Sequence, residues 1–277
     1  MPNEKLTIGS LVYDDFDGIY FTIQSIRLFH PEVLDRVEFL VIDNNPSSKD
    51  GKLTKDFCEK WGNGTIKYST FEEYSSTSLR NLVFENAQTD YVLCCDCHVM
   101  FQPKSLASLI GFFDSGFDGG NLIQGPLLYD TLKIAGTQFD PKWRGGMFGT
   151  WGIDKRVETD SYFEIPAQGL GVFACRRDSW LGFNKRFRGF GGEEGYIHEK
   201  YRQAGKKTLC LSSLKWLHRF GRPNGTPYPN LYEDRVKNYY IGWLELGLPV
   251  FEIIEHFKTL GLSEEKLRQW LAEVQAV

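Results

Sequence analysis

Over about the first 115 residues, strand-like and helix-like periods alternate four times, and this alternation limits the available folds more than any other feature of the chain. "LTIGSLVY", "VEFLVIDNN", "TIKYST" and "YVLCCDCHVMF" are short, nearly continuous apolar runs, as expected of strands covered on both faces. Between them, "FDGIYFTIQSIRLFH" spaces Ile19, Ile23, Ile26 and Phe29 along one helical face, with Pro31 closing it. "KLTKDFCEKWGN" reads as a helix ending near Gly62, and "SSTSLRNLVFENAQTD" opens with cap-type residues. "PKSLASLIGFFDSG" is a further helix with Pro103 near its start. The β-α-β-α-β-α-β-α order predicts an α/β domain with a mostly parallel sheet. Ligands of such sheets bind beyond the carboxyl ends of the strands. Asp14, Asp43 and Asp96 fall at those ends. Turn chemistry accounts for Asp14 and Asp43 equally well, whereas Asp96 precedes more apolar chain.

Beyond this half, residues 119–165 are irregular and rich in Gly and Trp. "YFEIPAQGLGVFACRRDSW" reads as strand, glycine turn, strand. "FRGFGGEEGYIHEKYRQAGKK" reads as a glycine-rich loop opening a helix to Ala204, with Gly205 past its end. "TLCLSSLKWLHRF" is a late strand ending at His218. From Leu231 onward the pattern is helical, and Ser263 is expected to open a capping box. A chain of 277 residues suits one large domain or one domain with an appendage, and 42% apolar residues suffice for a sizeable core. The net charge of -4 gives no basic nucleic-acid footprint. No apolar run approaches the roughly 18 residues of a membrane span, and the N-terminus lacks signal-peptide features, so a cytoplasmic chain is expected. The six cysteines lack the spacing of a disulfide scaffold and are expected to be reduced.

If Tyr91 to Phe101 is one strand, Cys94, Asp96 and His98 share one side and Cys95 and Cys97 the other. A zinc site using all three cysteines is then awkward, and small buried hydrophobes are the plainer reading of the thiols. A carboxylate on an apolar strand costs several kcal/mol unless it is paired or binds a cation. Asp96 with His98 offers oxygen and imidazole ligands that suit Mn²⁺, and Mg²⁺ less well. His218, at the end of another strand, is the best third ligand.

These blocks resemble the nucleotide-sugar glycosyltransferases of the GT-A fold. "SLRNLVFENAQTDYVLCCDCHV" is similar to the "ARN…A…G-x-Y-x-x-x-x-D-x-D/H" block of family 2 and its relatives. The Asp-x-His variant resembles a narrower group, the polypeptide N-acetylgalactosaminyltransferases and their bacterial cousins. "AQGLGVFACRRDSW", "FRGFGGEEGYIHEKYRQAGKK" and "LHRFGRPNGTPYP" are similar to three later blocks of that group, in the same order. The resemblance runs over roughly residues 5–230 and implies a GT-A domain over 1–230. Its nucleotide-binding half would be 1–118 and its sugar and acceptor half 119–230, followed by a helical extension over 231–277. Two positions depart from the group. Gly221 stands where the group has its loop arginine, with Arg219 and Arg222 on either side, and Glu194 replaces an asparagine.

The resemblance implies a metal-dependent transfer of a sugar from a UDP-sugar to an acceptor hydroxyl, with retention. Asp96, His98 and His218 would hold Mn²⁺ (or Mg²⁺). Asp43 and Asn44 would meet the nucleoside, Arg80 and Tyr228 would support the donor, and Arg219 or Arg222 would meet the diphosphate. Glu193 would contact the sugar, and Glu194 is the candidate base. Trp143, Trp151 and Trp180 are available for stacking on sugars, though packing explains them as well. The acceptor would be a glycan, a protein or another hydroxyl compound, with nucleic acid a minority option. Two rivals are a sugar-nucleotide nucleotidyltransferase and a non-catalytic sugar-nucleotide or glycan-binding module. The first should carry a basic, Gly-rich loop where this chain has the acidic "YDDFDG".

Overall fold

The computed structural model describes residues 5–62, 64–221 and 225–276. Its first half follows the predicted alternation: β1 (Leu6–Val12), α1 (Phe16–Phe29), β2 (Val37–Asp43), α2 (Lys49–Asp56), β3 (Ile66–Thr70), α3 (Asn81–Asn86) and β4 (Tyr91–Cys95). β1 lies between β2 and β4 and runs parallel to both, and β3 continues the parallel edge. Both faces of β1, β2 and β4 are buried, which is why their sequences lack alternation. On α1, Ile19, Ile23 and Ile26 are buried as expected, each contributing on the order of 1.5–3 kcal/mol. Phe29 is 54% exposed, because the helix turns it off the sheet-facing stripe in its last turn.

The expected single strand from Tyr91 to Phe101 is broken. β4 stops at Cys95, Asp96 to His98 form a turn, and β5 (Val99–Phe101) joins a different sheet. The reason lies in the pairing. β4 pairs with the strand Val172–Arg176 as far as Cys95, after which the Asp96 amide donates to the Gly171 carbonyl and the chain leaves the sheet. The alternation of faces inferred for Cys94 to His98 therefore ends at Cys95.

The chain continues through α4 (Ser105–Asp114), β6 (Leu122–Gln124), β7 (Leu127–Leu128), β8 (Ile134–Gly136), and a hairpin of β9 (Gln138–Arg144) and β10 (Met147–Gly152). Then come β11 (Tyr162–Glu164), β12 (Val172–Arg176), α5 (Glu193–Gln203), β13 (Thr208–Leu211) and β14 (Trp216–His218). The main sheet has eight strands in the order β11-β13-β6-β12-β4-β1-β2-β3. β12 enters antiparallel beside β4. A second sheet, β5-β14-β7-β8, sets the His98 turn beside the end of β14, with His218 opposite Val99.

The C-terminal helices are α6 (Tyr232–Glu245), α7 (Phe251–Thr259) and α8 (Glu264–Gln275). They share one core with the sheet: Val236, Tyr239, Tyr240, Phe257, Leu267 and Trp270 cluster with Leu40, Ile42, Val92 and Phe173. Ser263 caps α8 by accepting from the Lys266 amide, but Lys266 occupies the position where a capping box needs Glu or Gln. No described helix is long and apolar enough to cross a membrane.

Candidate functional site

A cleft of about 320 Å³ opens beyond the carboxyl ends of β1 and β4, where a parallel sheet exposes its loops. Asp96 enters it from the end of β4, His98 from the turn that follows, and His218 from the end of β14. Pairing of β14 with β5 brings the two histidines together, and the Arg219 amide donates to the His98 carbonyl at 3.1 Å. His98 Nε2 lies 3.1 Å from His218 Nε2, which lies 3.2 Å from Asp96 Oδ2. Two imidazole nitrogens and a carboxylate oxygen thus lie side by side. The three residues fit a divalent cation, since their ligand atoms all lie within 4.8 Å of one another.

Asp15 organises this cluster from the other side. It caps α1 by accepting from the Gly18 amide at 3.0 Å. The same carboxylate meets His98 Nδ1 at 2.8 Å and accepts from Arg219 Nη2 at 2.6 Å. A carboxylate at Nδ1 favours the ring proton there and orients Nε2 toward His218. Burial raises the Asp15 carboxyl, but the hydrogen bond and charge of His98 and the charge of Arg219 prevail and hold it at about 2. Gly18 is obligatory here, because a Cβ would lie 2.6 Å from Asp15 Oδ1 and 2.7 Å from the Cys97 carbonyl oxygen.

Arg80 ends a 3-10 turn (Thr77–Arg80) and is buried beneath the cleft floor. It donates to Asp96 Oδ1 at 2.7 Å and to Glu193 Oε1 at 3.4 Å, bridging the metal-type cluster to the glutamate pair. Burial opposes the charge on Asp96, yet Arg80 and His218 outweigh it and keep the carboxyl well below the usual carboxylate range. Glu193 and Glu194 form the first turn of α5, after Gly191 and Gly192 at φ of 97° and 94°. A side chain at Gly191 would strike Arg235 Nε at 2.6 Å, so this turn is moulded onto α6. Oε2 of each glutamate is buried without a hydrogen-bond partner among the described residues. Burial, with the neighbouring Glu193 charge, pushes Glu194 up to about 8.

Of the other expected residues, Asn44 and Tyr228 line the cleft. Tyr228 stacks on Phe190, with ring centroids 5.5 Å apart. Asn44 donates to the Phe71 and Tyr74 carbonyls. Asp43 is completely buried behind it and accepts from the Asn45 amide and the Tyr68 hydroxyl, so its carboxylate does not face the cleft. Arg222 lies outside the described residues. Trp151 lines the cleft against Phe139, whereas Trp143 packs among α6 and α7 and Trp180 stacks on Phe84. The sequence reading missed Asp15 as a site residue. An Asp ahead of an apolar helical run reads as a cap, and it is one; its second face is visible only in three dimensions.

A model of glycosyl transferase family 2 matches residues 9–126, less than half of the chain. No curated protein sequence matches significantly. Among solved structures, GalNAc-T7 with UDP, GalNAc and Mn²⁺ aligns with a TM-score of 0.74 at 15% identity, over 98% of this chain and 55% of that one. This chain thus spans about half the length of that protein. Residues 1–349 of S. aureus TarS in complex with UDP-GlcNAc align with a TM-score of 0.55 at 15% identity, over 98% of this chain and 71% of that one. With its mostly parallel sheet flanked by helices, the chain has the GT-A fold with a C-terminal helical extension.

Proposed function

We propose that this chain is a family 2-type glycosyltransferase of the hexosyltransferase class, moving a sugar from a UDP-sugar to an acceptor hydroxyl with a divalent metal. The observation that carries the reading is the convergence of Asp96, His98 and His218 at the end of β4, inside the cleft of a GT-A fold. Support also comes from the likeness to structures solved with UDP, UDP-GlcNAc and Mn²⁺. These three residues would hold Mn²⁺ or Mg²⁺, which would supply Lewis-acid neutralisation of the charge developing on the leaving diphosphate.

The chain's own residues do the rest. Asp15 fixes the His98 tautomer and holds Arg219 at the cleft edge, where the guanidinium faces incoming phosphate oxygens. Arg222, three residues further along the chain, is the second candidate for that contact. Arg80 keeps Asp96 and Glu193 at fixed separation, so that donor binding and sugar orientation are mechanically joined. Glu193, with an unpartnered oxygen in the cleft, accepts from sugar hydroxyls. Asn44, with Asp43 behind it, positions the nucleoside side, and Tyr228 offers an aromatic wall. Burial and the neighbouring Glu193 charge raise the Glu194 carboxyl toward the range of a general base, and it is the candidate base. The retaining outcome is read from the Asp-x-His resemblance. Residues 1–118 then form the nucleotide half, 119–230 the sugar and acceptor half, and 231–277 an extension that braces the glutamate turn.

Hydrolysis of a panel of UDP- and GDP-sugars, with Mn²⁺ or with EDTA, tests the reading. Metal-dependent release of UDP from one donor is expected. No release and no donor binding with Mn²⁺ would contradict it.

A further inference from the structure

One turn along α5 from the glutamate pair stands a histidine with no part in the mechanism above. His198 is fully buried and does not line the cleft. Its Nδ1 lies 2.5 Å from the Glu194 carbonyl oxygen, four residues back on the same helix. Its Nε2 meets Gln124 Oε1, at the end of β6, at 2.7 Å and the Gln168 backbone amide at 3.3 Å. Both glutamines are fully buried and hold the backbone around residues 167–171. Gln124 Nε2 donates to the Gly169 carbonyl at 3.0 Å, and Gln168 Nε2 donates to the Gly125 and Thr137 carbonyls at 3.0 and 2.8 Å. Gly169, Leu170 and Gly171 line the cleft, and the Gly171 carbonyl accepts from the Asp96 amide at 2.8 Å. This stretch has no slack. A Cβ at Gly171 would lie 2.6 Å from the Trp216 ring, and one at Gly169 would lie 3.2 Å from the Trp151 ring. The imidazole therefore ties the glutamate turn to the backbone that holds Asp96. Burial pulls the ring down to about 4, so near neutral pH it is uncharged, and what it supplies is position.

We propose that His198 is a positioning residue that sets the register of the Glu193–Glu194 turn against the cleft floor. The proposal deepens the transferase reading, and its kinetic consequence rests on that reading. The helix does not need the bridge, because its backbone bonds and the Nδ1 contact lie within α5 itself. The metal-type ligands keep their own supports, Arg80 behind Asp96 and Asp15 behind His98. Loss of the bridge is felt where the sugar meets the glutamates, and a displacement of about 1 Å at a reacting centre costs on the order of a hundredfold in rate.

The test compares His198→Leu, His198→Gln and His198→Asn in the full chain. A glutamine places its amide where Nε2 stood, with a donor for Gln124 Oε1 and an acceptor for the Gln168 amide. An asparagine places its amide where Nδ1 stood and loses the bridge. In donor hydrolysis with Mn²⁺, His198→Leu should lower kcat at least about tenfold, leave KM for the donor and Mn²⁺ affinity within about threefold, and be rescued by His198→Gln to within about threefold of the wild type. His198→Asn should behave as His198→Leu does, and it carries the comparison if His198→Leu does not fold. A kcat for the bridge-less variants within about threefold of the wild type, a loss confined to KM, or a His198→Gln no better than they are overturns the proposal. If the wild type releases no UDP at all, that result falls on the transferase reading. The Glu194 carboxyl, followed by isotope-edited infrared titration, then decides the positioning alone. Its midpoint should lie near 8 in the wild type and in His198→Gln, and lower in the bridge-less variants, whose loosened turn admits water. The same midpoint in all of them overturns the proposal.

Discussion

At the scale of single residues, the site is a chain of charges in which each group sets the state of the next: Arg219, Asp15, His98, His218, Asp96, Arg80, Glu193. Asp15→Ala removes both the cap on α1 and the carboxylate behind a ligand histidine. It should weaken Mn²⁺ binding about 10–100-fold and cost about 1 kcal/mol of stability, with Asp15→Asn recovering most of the stability and part of the affinity. Isothermal titration with Mn²⁺ and thermal melting separate the two effects. Glu194 predicts a pH dependence. Its carboxyl is raised in the fold to about 8 from an ordinary 4.5, so the folded state binds the extra proton between those values. Its stabilising contribution is full below about pH 4.5 and is lost as pH rises through about 8. Glu194→Gln should therefore melt with a shallower pH dependence than the wild type between pH 5 and 9. A parallel pair of curves would show that the group is not raised.

At the scale of elements, the glycine turn before α5 decides where the two glutamates sit. Gly191 has a φ reserved for glycine, and Arg235 of α6 occupies the space a Cβ would take. Gly191→Ala should cost about 1–3 kcal/mol, a fall in melting temperature of several degrees, and should reduce donor hydrolysis more than it reduces Mn²⁺ affinity. Most elements were legible from period and punctuation, because α1, α4 and the strands β1, β2 and β4 carry their burial pattern in consecutive residues. The break at Asp96 was not legible. The apolar run from Tyr91 to Phe101 is continuous, and only the partner strand β12, with Gly171 at its head, dictates that β4 stops at Cys95.

At the scale of the whole molecule, the helices α6 to α8 complete the core that the sheet begins. The Phe148 amide donates to the Tyr239 hydroxyl, and the Asn238 side-chain amide donates to the Arg188 and Gly191 carbonyls across the glutamate turn. A chain ending at residue 230 would expose Phe187, Tyr196 and Ile197, all fully buried here, and is expected to aggregate or to melt without a cooperative transition. A soluble truncated chain with a sharp melt would contradict this. The same scale explains what the sequence revealed of the site. Asp96, His98 and His218 stood out as polar residues on apolar strands, whereas Asp15 had a sufficient local explanation and Asp43 satisfied its carboxylate inward. The central claim is that the Asp96–His98–His218 cluster holds the cation that anchors a nucleoside diphosphate. The electron paramagnetic resonance signal of free Mn²⁺, followed with and without UDP on the wild type and on His98→Ala, tests it most directly. The account predicts that the wild type depletes free Mn²⁺ at one equivalent, more strongly with UDP, and that His98→Ala loses this by about a hundredfold. Equal depletion by both proteins, or none by the wild type with UDP present, would contradict it.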